Sequence, residues 1–480
     1  MKRVLLPGDF AARAALEYYV GKVGGIMRIH FIEEGEMIVA FFPDTLKFYQ
    51  INSFTKDVLQ NLLLGYGNEE IIEKFNLNSR QFDGIMKLID NNQSELNVEM
   101  QSKSLFLDKL VLNITNTCNL ACKYCYANGG SYSSKSALMN PEQVEKILDV
   151  FYSEYKIINN IQLFGGEPTL NLDAIEKVGE YIEKRVGKGE LKVKPIISIV
   201  TNGTNISDRF IELINSYGIH VTVSIDGPQK VNDAMRIFKD GKGTGKIIEQ
   251  NIKLLKEKTR THISAEVTYN EYHQSQGMSV YDVVSYIQDE LKIKDIHIAP
   301  VSGKGDSDYV LKDRSSIVDS VKDVFEGIKI DLNRSYSLIN RVIEVLHTKK
   351  TSKFLCGAGI SMLSVSTKGD VYPCFMLTDI DEFKMGNVNQ KELFDHQFSS
   401  MKNKLESFSK FEHEKCKDCF SNKICSGCVG MNYFETGDIH EQSDKNCDMY
   451  RRIVETVILE LTKQMTAKAR IQAVNQKNAG

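Results

Sequence analysis

From Leu110 to Ser302 the chain alternates short apolar, β-branched runs with longer stretches whose apolar positions recur at helical spacing. The runs VLNIT (111–115), IQLF (161–164), IISIV (196–200), VTVSI (221–225), ISAEV (263–267) and IHIAP (296–300) predict six strands. Amphipathic stretches beginning near Pro141, Leu172, Ser207, Lys246 and Val280 predict the helices between them. Pro141 suits a first helical turn, and Ser207 suits an N-cap. Six such units predict an α/β fold around a parallel sheet, flat or curled into a partial barrel. Chemistry in these folds gathers where strands end, at the carboxyl edge.

Those strand ends are distinctive. They read Cys118, Gly165-Gly166-Glu167-Pro168, Thr201-Asn202-Gly203, Ser224-Ile225-Asp226-Gly227-Pro228, Thr268-Tyr269-Asn270 and Pro300. Turn chemistry explains any one of them. The whole set, aligned on one edge beside a cysteine-rich loop, points to a site.

Residues 26–97 carry a different pattern. IMRIHFIE, MIVAFF and KFYQI predict three strands, followed by helices near 53–66, 68–76 and 79–91, with Ser53 and Ser79 placed as N-caps. The segment reads as a compact, winged-helix-like unit. It has six Lys/Arg against eleven Asp/Glu, which argues against phosphate-backbone binding. The first 25 residues and the tail from Met465 show no informative pattern.

Composition narrows the class. The 480 residues are 42% hydrophobic and 26% charged, with a formal net charge of -3, so a dedicated nucleic-acid binder is not expected. No run approaches the roughly 18 apolar residues of a membrane span. Asp9, Arg13 and Glu17 interrupt the N-terminal apolar stretch, so the expected location is the cytoplasm. There, ten cysteines are expected to hold metal or do redox chemistry rather than form structural disulfides.

The cysteines form two groups. Cys118, Cys122 and Cys125 are spaced C-x3-C-x2-C, and none follows for 230 residues. Cys356, Cys374, Cys416, Cys419, Cys425, Cys428 and Cys447 make the second group, which includes a C-x2-C-x5-C-x2-C run. Structural zinc wants four ligands, usually from two C-x2-C pairs, so the first group suits zinc poorly. Three thiolates can instead hold three corners of a [4Fe–4S] cluster, leaving one iron open.

CNLACKYC, with Tyr124 before its last cysteine, resembles the signature of the radical S-adenosylmethionine (radical SAM) family, and the GGEP, TNG and SIDGP turns match its further motifs in order. The resemblance covers residues 107–302. It implies a partial (β/α)6 barrel in which S-adenosylmethionine chelates the open iron and is cleaved to methionine and a 5′-deoxyadenosyl radical. Cys118, Cys122 and Cys125 would hold the cluster. Tyr124, Gly165, Gly166, Glu167, Asn202, Ser224 and Arg236 would serve the cofactor: Glu167 at the methionine amino group, Arg236 at its carboxylate, Ser224 and Asn202 at carboxylate or ribose, and the glycines by close backbone approach.

The seven later cysteines resemble the SPASM extension of that family, with two auxiliary [4Fe–4S] clusters, three in all. By that resemblance Cys416, Cys419, Cys425 and Cys447 would complete one cluster, and Cys356, Cys374 and Cys428 would hold the other with one iron open. The x2 spacing between Cys425 and Cys428 departs from the usual x3. Sulfatase-maturing relatives carry an acid just after the cysteine of GxxxxC, where this chain has Phe375. The 26–97 unit resembles leader-recognition domains of peptide maturases, which take an extended leader as an added strand.

The domains expected are 1–106 for leader recognition, 107–315 for the radical core, 316–355 as a helical bridge, 356–450 for SPASM, and 451–480 as a terminal helix and tail. The function implied is modification of a ribosomally made precursor peptide, foremost by cysteine thioether formation. Carbon–carbon crosslinking and a sulfatase-maturase-like oxidation are the alternatives. A flavodoxin or ferredoxin would supply electrons; neither nucleic acid nor membrane is an expected partner.

Overall fold

The computed structural model describes residues 18–22, 25–92, 105–301, 303, 307–326 and 335–478. Its first part is an antiparallel sheet of β1 (Tyr18–Lys22), β2 (Gly25–Glu34), β3 (Met37–Phe42) and β4 (Lys47–Ile51), paired in that order. Three helices follow, α1 (Ser53–Leu63), α2 (Asn68–Phe75) and α3 (Ser79–Asp90). The strand β1 lies in a segment whose sequence shows no strand pattern; it exists because β2 offers it an edge. The caps also differ from expectation by one residue. Asn52 accepts from the Thr55 N–H and Asn78 from the Gln81 N–H, so Ser53 and Ser79 are first helical residues instead. Asparagine caps as well as serine, and Asn78 also forms a capping box with Gln81.

This unit is not closed on itself. One sheet face, with Ile29, Ala40 and Phe42, packs on Val58, Leu59, Ile71 and Ile85 of its own helices. Ile32, Val39 and Phe41 instead join the main core of the molecule. Strand alternation sends successive side chains to opposite faces, so both faces are apolar and both need a partner.

The six expected parallel strands are β5 (Phe106–Thr115), β6 (Ile157–Gly165), β7 (Ile196–Thr201), β8 (His220–Ser224), β9 (Ile263–Tyr269) and β10 (Asp295–Pro300). Each pairs in parallel with the next. The connecting helices are α4 (Pro141–Glu154), α5 (Leu172–Gly187), α6 (Asp208–Tyr217), α7 (Gln229–Met235), α8 (Gly245–Lys258), α9 (Glu271–Ser275) and α10 (Val280–Asp289). Pro141 is the first residue of α4 and Ser207 caps α6, as expected. The short α7 and α9 are additions, both on the carboxyl edge.

Helices α11 (Ser315–Glu326) and α12 (Ser337–Thr348) lead to three short strands, β11 (Met362–Val365), β12 (Asp370–Tyr372) and β13 (Gly386–Asn387). β11 pairs in parallel with β5, so the cysteine-rich region extends the same sheet to nine strands. Helices α13 (His396–Glu406), α14 (Val429–Thr436) and α15 (Asp444–Asn478) complete the fold. Helix α15 runs across the expected boundary at 450, which places Cys447 in its first turn. Among the described residues, no helix is long and apolar enough to cross a membrane.

Candidate functional site

The loop after β5 carries Cys118, Cys122 and Cys125, and backbone bonds hold it. Ala121 and Lys123 donate N–H groups to the carbonyls of Ile237 and Met235, tying the loop to the end of α7 and the residues just after it. Beneath it run Gly165 and Gly166. A Cβ on Gly165 would lie 2.0 Å from the Thr115 carbonyl oxygen, and one on Gly166 would lie 2.1 Å from that of Thr117. The glycines therefore let strand end β6 close on the cysteine loop itself, in addition to lining the cavity.

Glu167 is fully buried. Its Oε1 accepts from the Thr169 N–H (3.0 Å), the Thr169 hydroxyl (2.7 Å) and the Thr201 hydroxyl (2.7 Å), and its Oε2 accepts from the Asn202 N–H (2.7 Å). It locks the ends of β6 and β7 together and is absent from the cavity wall. The expected contact with an amino group has only Oε2, with its single partner, to use. Asn202 reaches the loop directly: its Nδ2 donates to Asn119 Oδ1 at 2.8 Å and lies 3.7 Å from Cys118 Sγ.

Tyr124 and Arg236 line the cavity as a pair. Arg236 Nη1 donates to the Tyr124 hydroxyl at 2.9 Å, and that hydroxyl donates to Asp226 Oδ2 at 2.5 Å. Asp226 also accepts the Thr268 N–H through Oδ1, joining β8 to β9. Burial opposes the Arg236 charge, but Tyr124, Cys122 and Asp226 outweigh it and keep the guanidinium charged. Arg236 Nε is buried with no partner of its own among the described residues, a donor free for a ligand. Asp226 had no role in the sequence reading. Its turn was legible, but its bonds reach Tyr124 and Thr268, each more than 40 positions away and on opposite sides in sequence. Ser224 stands half-buried in the cavity wall at the end of β8.

The ten thiols fall into three neighbourhoods. Burial raises each pKa named here, with Cys118, Cys416 and Cys428 pushed up to about 11 and Cys425 to about 12. Neighbouring thiols add to this within sets. Cys122 and Cys125 act on Cys118; Cys428 and Cys356 act on Cys374; Cys419, Cys447 and Cys416 act on Cys425. The structure thus brings together 118/122/125, 356/374/428 and 416/419/425/447. Among the described residues, no three His, Cys, Asp or Glu side chains converge on a single ion. Soft thiolates gathered in this way suit iron–sulfur chemistry.

Two residues beside these sets had no sequence signal. Lys410 is almost wholly buried and donates from Nζ to the Cys425 carbonyl at 2.5 Å. Burial lowers its pKa, while Cys425, Cys416 and Cys419 pull it back up. His30, from β2, stacks on Phe420 between Cys419 and Cys425, with ring centroids 3.6 Å apart, and its Nε2 lies 2.8 Å from Glu455 Oε1. Asp44 joins Arg28 (2.6 Å) and Lys423 (3.2 Å) at the same contact, so the N-terminal unit docks on the four-cysteine loop.

A cavity of about 570 Å³ opens on the carboxyl edge. Cys118, Cys122 and Cys125 line one side; Cys425, Cys428, Phe375 and Met376 line another, with Arg341 of α12 and Val454 of α15 closing it. Phe375 packs on Phe164, centroids 4.7 Å apart.

Residues 112–270 match the Radical SAM superfamily model, so this part of the chain is a radical SAM domain. The chain also carries a SPASM domain, the iron–sulfur cluster-binding model matching residues 356–420. It is 26% identical to the radical SAM cyclopropyl synthase TigE of Paramaledivibacter caminithermalis, over 72% of this chain and 73% of that protein. It is also 26% identical to a cysteine-type anaerobic sulfatase-maturating enzyme of Clostridium perfringens, over 67% of this chain and 88% of that one. A solved structure described as native anSMEcpe with bound AdoMet matches 75% of this chain and 99% of its own, with a TM-score of 0.62 and 23% identity; it shows the shared fold.

Proposed function

We propose that the protein is a peptide maturase that forms thioether bonds between a cysteine sulfur and a carbon of a ribosomally made precursor. One observation carries this reading: thiols of all three cysteine sets open on one cavity, so a peptide in it reaches the radical-type site and the auxiliary sites together. The name of one relative supports a peptide substrate, the antilisterial bacteriocin subtilosin biosynthesis protein AlbA of Bacillus subtilis, at 24% identity over 66% of this chain; the cyclopropyl synthase TigE favours the carbon–carbon alternative.

Cys118, Cys122 and Cys125 would hold the radical-generating cluster, and the other seven cysteines two further clusters. When bound, cluster and S-adenosylmethionine would supply radical chemistry for hydrogen abstraction at this cavity. Arg236, with its unpartnered Nε, would bind the cofactor carboxylate; Tyr124 and Asp226 hold that guanidinium in place. Phe164 and Phe375 exclude water from the acceptor carbon. Phe375 also takes the position where sulfatase maturases carry an acid, which disfavours the sulfatase-type oxidation. A flavodoxin or ferredoxin is the proposed electron source.

The precursor's leader is proposed to bind the N-terminal unit as an added strand. Among the described residues this sheet ends in β1 and β4, and β4 is the edge proposed for the leader because it lies within the 26–97 unit.

The test is anaerobic reconstitution with the precursor encoded by a short reading frame beside the gene, followed by mass spectrometry. Loss of one hydrogen pair per crosslink, abolished when the core lacks cysteine, is the expected result. Crosslinks that form without core cysteine would establish carbon–carbon chemistry instead.

A further inference from the structure

Lysines around the four-cysteine set are of two kinds. Lys415 pairs with Asp444 at 2.6 Å and Glu441 at 3.5 Å, and Lys423 pairs with Asp44 at 3.2 Å. Lys410 has no such partner. The residue is 3% exposed, its Nζ donates to the Cys425 carbonyl at 2.5 Å, and among the described residues no carboxylate pairs with it. The groups that favour its charge are the thiols of Cys425, Cys416 and Cys419. Arg341, a second cation acting on it, has its own carboxylate in Glu344 at 3.1 Å. The backbone of Lys410 is fixed as well, its N–H donating to the Lys353 carbonyl at 2.8 Å, just before Cys356. Lys410 is therefore anchored beside one auxiliary set while its side chain ends on the other. An ammonium buried this deeply is costly unless an anion compensates it. Metal-bound cysteines are thiolates, so a loaded set supplies that anion.

We propose that Lys410 is the internal counter-cation of the four-cysteine set and raises the reduction potential of the cluster held there. The inference rests on the reading that Cys416, Cys419, Cys425 and Cys447 hold a cluster. Reduction adds one electron and one unit of negative charge; no bond forms or breaks, and no proton moves. A fixed cation stabilises the reduced form more than the oxidised one, and in a buried site solvent and salt screen it little. Its charge also reaches Cys356, but the side chain ends on Cys425, so the effect is larger on the four-cysteine set. Lys410 thus biases an electron shared between the two auxiliary sets toward the four-cysteine one.

The experiment takes full-length protein with Cys118, Cys122 and Cys125 replaced by alanine, reconstitutes it with iron and sulfide, and titrates it with dithionite under electron paramagnetic resonance. Of the two auxiliary transitions, the one that Cys419→Ser shifts or removes belongs to the four-cysteine set. For that transition, Lys410→Met should lower the reduced-to-oxidised ratio at the parent's midpoint about tenfold, or about 59 mV for one electron. Lys410→Gln should do the same, whereas Lys410→Arg keeps the charge and should stay within about twofold. Lys415→Met removes a partly exposed cation that carboxylates already balance, and should also stay within about twofold. An unchanged ratio in a neutral variant that keeps its iron overturns the proposal. So does a fall in Lys410→Arg as large as in Lys410→Met, which would mark a purely structural role. Should Lys410→Met fail to fold, Lys410→Gln decides; loss of this cluster from both neutral variants would make Lys410 an assembly residue and overturns the proposal too. Iron analysis of the parent separates the two levels: about four iron per chain instead of about eight, with no transition answering to Cys419→Ser, means the set holds no cluster and the underlying reading has failed.

Discussion

The first cysteine set and the last seven cysteines are built by opposite strategies. Cys118, Cys122 and Cys125 share one loop, positioned by sequence-local turns and by glycines that let β6 close beneath it. The later sets draw on a stretch of about 90 residues and are sorted by folding: Cys428 leaves its neighbour Cys425 to join Cys356 and Cys374, while Cys447 arrives from helix α15. The three thiols of the loop are brought together by their own spacing, although Met235, Ile237 and Asn202 anchor the loop from afar. A set assembled from distant segments needs the whole domain, and it recruits further neighbours such as Lys410, Met376 and the N-terminal unit. The first kind is expected to be lost with less disturbance to the rest than the second, which touches more of the fold.

The sharpest way to break this contrast is to remove the local set. With Cys118, Cys122 and Cys125 all changed to alanine, iron after reconstitution should fall from about twelve to about eight per chain, and cleavage of S-adenosylmethionine should stop. Retained 5′-deoxyadenosine formation would show that another set generates the radical. Next comes Glu435→Ala at the coupled end. Arg314 Nη2 donates to Glu435 at 2.8 Å, both side chains are largely buried, and this pair joins the residue before α11 to α14. Leaving Arg314 without its carboxylate should cost about 3 kcal/mol, read by denaturant unfolding, and should weaken auxiliary iron retention. An unchanged midpoint would mean the pair is screened.

A smaller effect sharpens the link between the N-terminal unit and the four-cysteine loop. Phe420→Ala removes the ring on which His30 stacks and should loosen the unit by about 1–2 kcal/mol, seen as faster amide exchange in β2. Cleavage of S-adenosylmethionine should be untouched; if it falls instead, the two ends are not independent. Deleting the whole unit is a poorer test, because it would also strip cover from the main core that Ile32, Val39 and Phe41 pack into.

The smallest effect concerns pH. Burial alone would raise the Asp44 carboxyl, but Arg28 and Lys423 outweigh it and hold its pKa below the usual value. A depressed folded-state pKa gives stability that is present above the unfolded value, about 4, and is lost as pH falls through the folded one. Docking of the N-terminal unit should therefore weaken only under acid, and Asp44→Asn should flatten that dependence. Identical acid profiles for the two proteins would assign the acid sensitivity to other carboxylates.

Much of the radical core was legible along the chain. Six β-branched runs and their amphipathic partners determined strand number, order and direction, because period-two and period-3.6 patterns are local properties. The C-x3-C-x2-C loop and the glycine-rich turns could be read for the same reason: a few consecutive residues carry them. The SPASM spacing was readable as a motif, though spacing alone does not sort its thiols into sets. Only the tertiary structure could do the rest. It turned Glu167 inward as a strand lock, made Asp226 the hinge of Tyr124 and Arg236, buried Lys410 beside Cys425, and set Met376 against Cys428. It also gave β1 an edge to pair with and turned one face of the N-terminal sheet toward the main core. Each of these depends on residues far apart in sequence meeting in space, and no periodicity records such meetings. A hydrophobic pattern says that a face must be covered; only packing decides what covers it.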